Sequence, residues 1–253
     1  MEVKIVYEDQ AILVIDKPAG LVVNRAESVK EMTLQDWIAD RLVFPLARNS
    51  ELRNGIVHRL DKETSGVMIV AKTEETLENL QMQFRTRAIN KFYRVLVHGR
   101  MSPREGSIAL PLARNPRDRE RFAVSATGKK AVTGWKVERY FDTVLKPDVD
   151  TGSYQGFSLL EVKPETGRTH QIRVHLSHLR HPVVSDTRYT GERRAREDRK
   201  WCPRLFLHAQ LIAFAHPITK ERVRFEVPLA EDLKNALKLL KLSKGAVTLI
   251  YEE

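Results

Sequence analysis

The sequence predicts an α+β fold, with a largely antiparallel central sheet flanked by helices and loops. Strand-like segments outnumber helix-like segments, and the helices are scattered among the strands, which is typical of this class. A chain of 253 residues can form one large domain or two small ones. We expect a single continuous domain over residues 1–253.

The first part of the chain predicts a hairpin, a helix and two buried strands. Segments 3–7 and 11–15 are rich in β-branched residues and flank a short polar turn, as in a hairpin. A helix is predicted over residues 33–42, with Thr33 as its N-cap. Apolar residues at 56–58 and 67–71 predict buried strands on either side of a polar link, where we expect the functional residues.

The middle of the chain predicts a second helix and several strands. Thr73 can cap a helix over residues 74–87, whose leucine and phenylalanine side chains share one face. Alternating residues predict a strand at 91–98, strand-like pieces follow between 106 and 141, and another strand is predicted at 157–164.

A helix over residues 168–179 is predicted to turn its apolar side chains inward and to place Arg173 and Ser177 on a different stripe. The inward-facing residues are Ile172, His175, Leu176 and Leu179. The last predicted elements are strands at 205–214 and 223–227, a leucine-rich helix at 231–242 and a short terminal strand.

The chain is basic, with a formal net charge of +10 and a pI near 9.7. Such a charge favours a polyanionic partner, because binding releases condensed counterions, although a merely basic protein is an equal alternative on charge alone. Much of the charge lies in two segments. The first contains Arg114, Arg117, Arg119, Arg121, Lys129 and Lys130. The second contains Arg188, Arg193, Arg194, Arg196, Arg199, Lys200 and Arg204.

Several classes of site lack sequence support. Cys202 is the only cysteine, which excludes an intramolecular disulfide and a cysteine-based zinc site. The sequence contains no dinucleotide-binding, P-loop or zinc-hydrolase motif, and we assign no metal to His208 and His216. We therefore predict no cofactor and no metal. The absence of a signal peptide or a long apolar run predicts a cytoplasmic protein without a membrane partner.

The segment HRLDKETSG, residues 58–66, is a concentrated polar turn. A carboxylate held there, such as that of Asp61, can act as a nucleophile or base without a metal. Alternatively, Asp61, Thr64 and Ser65 only bind the backbone of a turn.

Residues 165–175 combine a glycine turn with polar donors before a helix, which suits binding of a phosphate or a carboxylate. The alternative is a helix capped by Thr169, with His175 in the core and solvated arginines. Tyr93, in the strand 91–98, either packs in the core or stacks on a base.

Taken together, these segments resemble the RluA-type family of pseudouridine synthases. The family's motifs are matched by HRLDKETSG at 58–66, KFYRVLVHG at 91–99 and GRTHQIRVHL at 167–176. LFLHAQLIAFAHPIT at 205–219 and the opening VIDKPAGLVV also fit, and all occur in the family's order.

The resemblance implies an enzyme with the pseudouridine synthase fold, which isomerises specific uridines of RNA. Asp61 would attack the target uridine or its ribose, and Arg173 would pair with Asp61 and keep it ionised. Tyr93 would stack on the uracil and help to remove the final proton. Arg59 would fill the place of the base that is flipped out. Further RNA-binding residues are implied at His58, Lys91, Arg168, His170 and Gln171.

The resemblance also implies RNA as the partner, with ribosomal RNA favoured over transfer RNA, and a monomer. The basic segments would contact phosphates; for the second segment the alternative is a surface loop whose acidic residues, Glu192, Glu197 and Asp198, pair with its own basic residues. The pattern departs from the family in lacking an N-terminal S4-type domain, in Asn24-Arg25, and in Ser185 before Asp186. Two other classes stay open: a non-catalytic RNA-binding or ribosome-assembly factor with this fold, and a base-flipping hydrolase that would release free uracil.

Overall fold

The computed structural model describes residues 2–145, 149–150 and 154–243. The chain divides into two compact units. The first comprises Met1–Lys91 and Ala209–Pro228, and the second comprises Phe92–His208 and Leu229–Glu253.

Helices and strands mix in both units, and the registered strand pairs are antiparallel, so the predicted α+β class is confirmed. The described strands are β1 (Lys4–Glu8), β2 (Ile12–Lys17), β3 (Ser65–Ala71), β4 (Asn90–His98), β5 (Glu105–Ile108), β6 (Leu112–Arg114), β7 (Phe122–Val124), β8 (Thr133–Val144), β9 (Phe157–Pro164), β10 (Leu207–Ala215), β11 (Arg222–Glu226) and β12 (Leu240–Leu242). The described α-helices are α1 (Leu34–Arg41), α2 (Glu74–Arg85), α3 (Gln171–His178), α4 (Glu192–Asp198) and α5 (Glu231–Lys238).

The first unit is built on β1, β2, β3 and β10, which are neighbours in that order, with β11 paired to β10. Every residue of β3 is buried, as expected of a strand that is covered on both faces. Helix α2 adds Leu77 and Leu80 to a core that includes Ile69 and Phe214. This core holds β3 in place, and the turn 58–66 leads directly into β3.

The second unit is built on β4, β9, β8 and β12 in that order, with β5 also paired to β8. Tyr93 on β4 lies opposite Val162 on β9, and Trp135, Phe157 and Phe206 contribute to the core. Strands β6 and β7 form a separate two-stranded sheet, which we call the basic hairpin, residues 112–124.

The two helix starts that the sequence predicted most clearly are confirmed. Thr33 accepts a hydrogen bond from the Asp36 backbone N–H, and the Asp36 carboxylate accepts one from the Thr33 N–H, which together form a capping box at α1. Thr73 accepts from the Thr76 N–H at the start of α2. The strands predicted at 67–71, 91–98 and 157–164 are confirmed as β3, β4 and β9.

The strand predicted at 56–58 is wrong. Only Ile56 makes a bridge, to Val70, and a 3-10 helix at Arg53–Gly55 directly precedes it. The His58 side chain accepts the Ile69 backbone N–H at 3.0 Å. That amide is therefore used by a side chain rather than by a neighbouring strand.

The predicted stripes of the 168–179 helix are confirmed for Ile172, His175 and Leu176, which are buried, and wrong for Arg173. The helix α3 starts later, at Gln171, because His170 adopts the left-handed conformation with φ 55° and serves as N-cap in place of Thr169. All residues from Gln171 to Leu176 are buried, including Arg173 at 3% exposure. Burial of the arginine follows from an ion pair with a residue outside the helix, which local periodicity does not reveal.

Near the C-terminus, the predicted helix 231–242 ends at Lys238 as α5, and Leu240 begins β12, where it pairs with Val144 of β8. The predicted terminal strand falls after Leu242 and lies outside the described residues, which end at 243. The basic segment 188–204 contains a helix, α4, that was not predicted. No helix among the residues described is long and apolar enough to cross a membrane.

Candidate active site

Asp61 lies in the polar turn before β3 and is partly buried. Its backbone oxygen accepts the Thr64 N–H at 3.1 Å, which closes the turn. Gly66 has φ 121°, and a Cβ at this position would lie 2.1 Å from the Ala209 backbone oxygen. Only glycine fits there without a shift of the backbone, so the exit of the turn is fixed against β10.

Lys17 holds the other side of this turn. Its ammonium group is fully buried and donates to the backbone oxygens of Pro18, Leu21 and Lys62 at 2.8, 2.9 and 3.3 Å. The Gly20 N–H also donates to the Lys62 oxygen, at 2.7 Å. A buried ammonium is stable only when its donors are used. Lys17 therefore ties the end of β2 to the residue that follows Asp61.

The Thr64 hydroxyl is buried, and it makes no hydrogen bond with any residue that the structure describes. The purely structural alternative, in which this side chain hydrogen-bonds the turn backbone, is therefore wrong for Thr64.

His58 is neutral. Its Nε2 atom accepts the Ile69 N–H, which requires an unprotonated nitrogen. Burial, and secondarily the positive charge of Lys91, lower the pKa of His58 to about 3. Burial also lowers the pKa of Lys91 to about 8. Both side chains contact the ring of Phe84, His58 at 5.0 Å between centroids and Lys91 at 5.7 Å from Nζ to the centroid.

Arg59 is exposed at the start of the same turn. Its guanidinium is therefore available to solvent, whereas His58 beside it in the chain is only partly exposed. Arg59, His58, Lys91 and Asp61 all belong to the first unit.

The second unit contains Tyr93 and Arg173. Tyr93 is partly buried and packs against the core of that unit. Arg173 forms a bidentate ion pair with Asp186. Its Nε donates to Oδ2 and its Nη2 donates to Oδ1, each at 2.8 Å. The side chains are 4% and 0% exposed. The predicted pairing of Arg173 with Asp61 stays a prediction.

The turn that carries Asp186 is itself held by hydrogen bonds. Asp186 Oδ1 also accepts the N–H groups of Arg188 and Tyr189, at 2.9 and 3.1 Å. Ser185 has φ 59° and donates through its hydroxyl to the Cys202 oxygen at 2.6 Å. Serine thus occupies a left-handed position that favours glycine, and its hydroxyl bond helps to stabilise it there.

The polar residues at the start of α3 make different kinds of contact. The buried Gln171 side chain accepts from Thr166 and from the Arg168 N–H, and it donates to Val132 and Thr133. Gln171 thus shapes the start of the helix. Arg168 is exposed, and its Nε donates to the Lys130 oxygen at 3.2 Å.

His170 is partly buried and hydrogen-bonds the Tyr189 hydroxyl through Nδ1 at 2.9 Å. The RNA contacts predicted for His170, Gln171 and Arg168 stay predictions, as do those of His58, Lys91 and Arg59. Among the described residues, no group of three or more His, Cys, Asp or Glu side chains is arranged to hold a metal ion.

Comparison with known proteins decides the family. The family model described as RNA pseudouridylate synthase matches residues 11–178, which include the whole turn around Asp61 and all of α3 with Arg173. The chain belongs to the RNA pseudouridylate synthase family. It is therefore an enzyme, an RNA pseudouridine synthase of the isomerase class, and the resemblance drawn from its motifs is confirmed.

Relatives of the synthase match over nearly its whole length. The uncharacterized RNA pseudouridine synthase YlyB of Bacillus subtilis is 37% identical over 241 residues, which cover 95% of this chain and 74% of that protein. Ribosomal large subunit pseudouridine synthase D of Pseudomonas aeruginosa is 38% identical over 255 residues, which cover 97% of this chain and 74% of that protein. Among solved structures, human RNA pseudouridylate synthase domain containing 1 has a TM-score of 0.71 at 26% identity, covering 96% of this chain and 89% of that chain.

Three residues of the synthase were not assigned a role from sequence. From sequence, Lys17 belongs to a turn and Asp186 to a variant motif, and no interpretation was made of Tyr189. The available signal was the run Ser-Asp-Thr-Arg-Tyr at 185–189, where an acidic residue follows a buried apolar pair, Val183 and Val184.

Proposed function

We propose that this synthase converts specific uridines of large-subunit ribosomal RNA into pseudouridine, with Asp61 as its catalytic carboxylate. The observation that carries the choice of RNA is the match to ribosomal large subunit pseudouridine synthase D over 97% of this chain. The net charge of +10 supports a polyanionic substrate. Transfer RNA is the alternative substrate.

In the proposed reaction, the Asp61 carboxylate attacks either the uracil ring or the ribose carbon C1′. The bond between N1 and C1′ breaks, the base turns, and a bond forms between C5 and C1′. The proton on C5 leaves and N1 gains one, so that the mass of the RNA does not change. The support for Asp61 is its place in a turn that Lys17 and Gly66 fix on either side, because a catalytic group must be held in a defined position.

We assign the remaining roles as follows. Arg173 favours the ionised form of Asp61 through its positive charge, and Tyr93 stacks on the uracil. A uridine reaches such a pocket only when it is flipped out of its helix. Arg59 then takes the vacated place, since its guanidinium is planar and exposed.

RNA outside the pocket binds, in this proposal, to the basic hairpin and to the segment 188–204. Arg117 and Arg119 are exposed at the tip of the hairpin, where phosphates can reach them. The enzyme acts as a monomer in the cytoplasm without metal or cofactor. Its one cysteine, Cys202, is buried and free, which suits a reducing compartment.

The test is pseudouridine mapping by carbodiimide labelling and primer extension. Total RNA from cells that lack the enzyme is incubated with the wild type, with Asp61→Ala, or with Asp40→Ala as a matched control at an exposed position of α1. We expect new stops in large-subunit ribosomal RNA with the wild type and the control, and none with Asp61→Ala. New stops found only in transfer RNA would show that transfer RNA, and not ribosomal RNA, is the substrate. The absence of any stop with the wild type, with binding retained, would favour a non-catalytic RNA-binding factor.

A further inference from the structure

Tyr189 touches both the basic hairpin and the Arg173–Asp186 ion pair, all within the second unit. The family motifs discussed above give this residue no role. Its hydroxyl contacts the basic hairpin, and its ring contacts Arg173. Both have a role in the proposed function, the hairpin in RNA binding and Arg173 in catalysis.

The ring of Tyr189 lies beside the guanidinium of Arg173, with 5.1 Å between Cζ and the ring centroid. Its backbone N–H donates to Asp186 Oδ1, the same oxygen that accepts from Arg173 Nη2. A planar cation over an aromatic face is stabilised by the ring's charge distribution. Arg173 is therefore held by Asp186 at its edge and by Tyr189 at its face.

The hydroxyl of Tyr189 reaches the hairpin. It accepts the backbone N–H of Phe122, on strand β7, at 3.0 Å, and it lies 2.9 Å from His170 Nδ1. The His170 ring meets the rings of Phe122 and Tyr189 edge-on, with centroids 5.8 and 5.7 Å apart. A displacement of β7 would therefore change the hydrogen bond from Phe122 to the Tyr189 hydroxyl.

The hairpin depends on such contacts for its position. Strands β6 and β7 pair with each other in a sheet of two strands, and a two-stranded hairpin is marginally stable alone. Its apolar side packs on Val174 of α3 and on Tyr189. Arg188 adds a link to the hairpin, because its Nη1 donates to the Glu120 carboxylate at 2.9 Å.

We propose that Tyr189 is a positioning residue that couples RNA binding at the basic hairpin to the orientation of the Arg173 guanidinium. The proposal rests on the proposed function, in which the hairpin binds RNA and Arg173 acts at Asp61. RNA that fixes the hairpin favours the arrangement in which the Phe122 N–H meets the phenol. The ring then holds Arg173, and by linkage a correctly held Arg173 favours RNA binding at the hairpin.

The test is a double-mutant cycle with separate measurement of kcat and KM on the RNA that the wild type modifies. One change is Tyr189→Phe, which removes the hydroxyl and keeps the ring. The other is Arg117→Gln with Arg119→Gln, which removes two exposed charges at the hairpin tip. In the wild-type background, we expect the charge change to raise KM and also to lower kcat.

Tyr189→Phe alone should lower kcat about fivefold, as the loss of one hydrogen bond allows. In the Tyr189→Phe background, the charge change should still raise KM but should lower kcat no further. Tyr189→Leu, which also removes the ring, should lower kcat more than Tyr189→Phe. Hydrogen exchange should show faster exchange at the Phe122 amide in both Tyr189 variants.

Matched controls exclude general effects. Tyr7→Phe removes a phenol hydrogen bond to Asp9 at an exposed strand, and Arg222→Gln removes an exposed charge on β11; neither should change kcat. If the wild type is active but the losses of kcat from Tyr189→Phe and from the charge change add in the combined variant, the coupling is wrong and the proposed function stands. A wild type that makes no pseudouridine in RNA would overturn the proposed function and the coupling with it.

Discussion

Arg173 and Asp186 form a buried ion pair with two hydrogen bonds of 2.8 Å. Breaking such a pair leaves one buried charge without its partner, which is among the more destabilising changes known for a single residue. Asp186 is also the acceptor for two backbone N–H groups. Loss of either partner should therefore destabilise the second unit, and the pair fixes the arginine that we propose acts in catalysis.

Asp186→Asn should lower the free energy of unfolding by about 3 kcal/mol, because the amide cannot neutralise the buried guanidinium. Urea denaturation measures this. The control is Asp118→Asn, which breaks the exposed pair between Asp118 and Arg121, and it should cost less than about 1 kcal/mol. Equal stability of the two variants would show that the buried pair is not what holds Arg173.

Lys17→Met should destabilise the protein by about 3 kcal/mol, because it leaves the backbone oxygens of Pro18, Leu21 and Lys62 without the donors that Lys17 supplies. The thioether keeps most of the side-chain volume, so that packing changes little. Lys4→Met, on the exposed strand β1, should stay within about 0.5 kcal/mol of the wild type. A kcat for Lys17→Met equal to that of the wild type would contradict the view that Lys17 positions the Asp61 turn.

His58 should make stability fall as the pH falls. Its pKa in the folded protein is about 3, against an ordinary value of about 6.5 in the unfolded chain. Between these values the unfolded state binds a proton that the folded state does not, so stability decreases by up to about 1.4 kcal/mol per pH unit. We expect this loss to begin near pH 6.5 and to continue towards pH 3.

His58→Gln tests that assignment, because a glutamine oxygen can accept the Ile69 N–H and does not titrate in this range. The slope of unfolding free energy against pH should be smaller in His58→Gln than in the wild type between pH 6.5 and the onset of carboxylate titration. Identical slopes in the two proteins would assign the acid sensitivity to other groups.

Asp61→Ala should bind the substrate RNA with an affinity within about tenfold of the wild type, since phosphate contacts dominate such binding. Filter binding at a fixed salt concentration measures it. As a comparison, Arg117→Gln with Arg119→Gln should weaken binding and reduce its salt dependence. Loss of binding in Asp61→Ala as large as its loss of activity would contradict this division between binding and chemistry.

The features that sequence predicted correctly depend on neighbouring residues. The caps of α1 and α2 follow from a threonine placed just before a helical pattern, and the polar turn that carries Asp61 was placed correctly because it precedes the buried strand β3. Local pattern, turn chemistry and family motif agree at these positions, which is why they could be read without the fold.

The features that sequence missed depend on partners distant in the chain. Arg173 is buried because Asp186 is its partner, 13 residues later. One of the three acceptors of the buried Lys17 ammonium is the oxygen of Lys62, 45 residues later. Helix α4 has no apolar stripe to reveal it. Asp198 is buried there because its carboxylate binds His98 Nε2 and the Ser185 N–H, both at 2.9 Å. Tertiary pairing of polar groups leaves no periodic signal in the sequence.

The most direct test of the central proposal is tritium release from large-subunit ribosomal RNA that carries [5-³H]uridine. Formation of the bond from C5 to C1′ expels the tritium into water, and hydrolysis of the glycosidic bond does not. We predict that the wild type and Asp40→Ala release tritium at the same rate, and that Asp61→Ala releases none above background. Release by Asp61→Ala at the wild-type rate would contradict the assignment of Asp61 as the catalytic carboxylate.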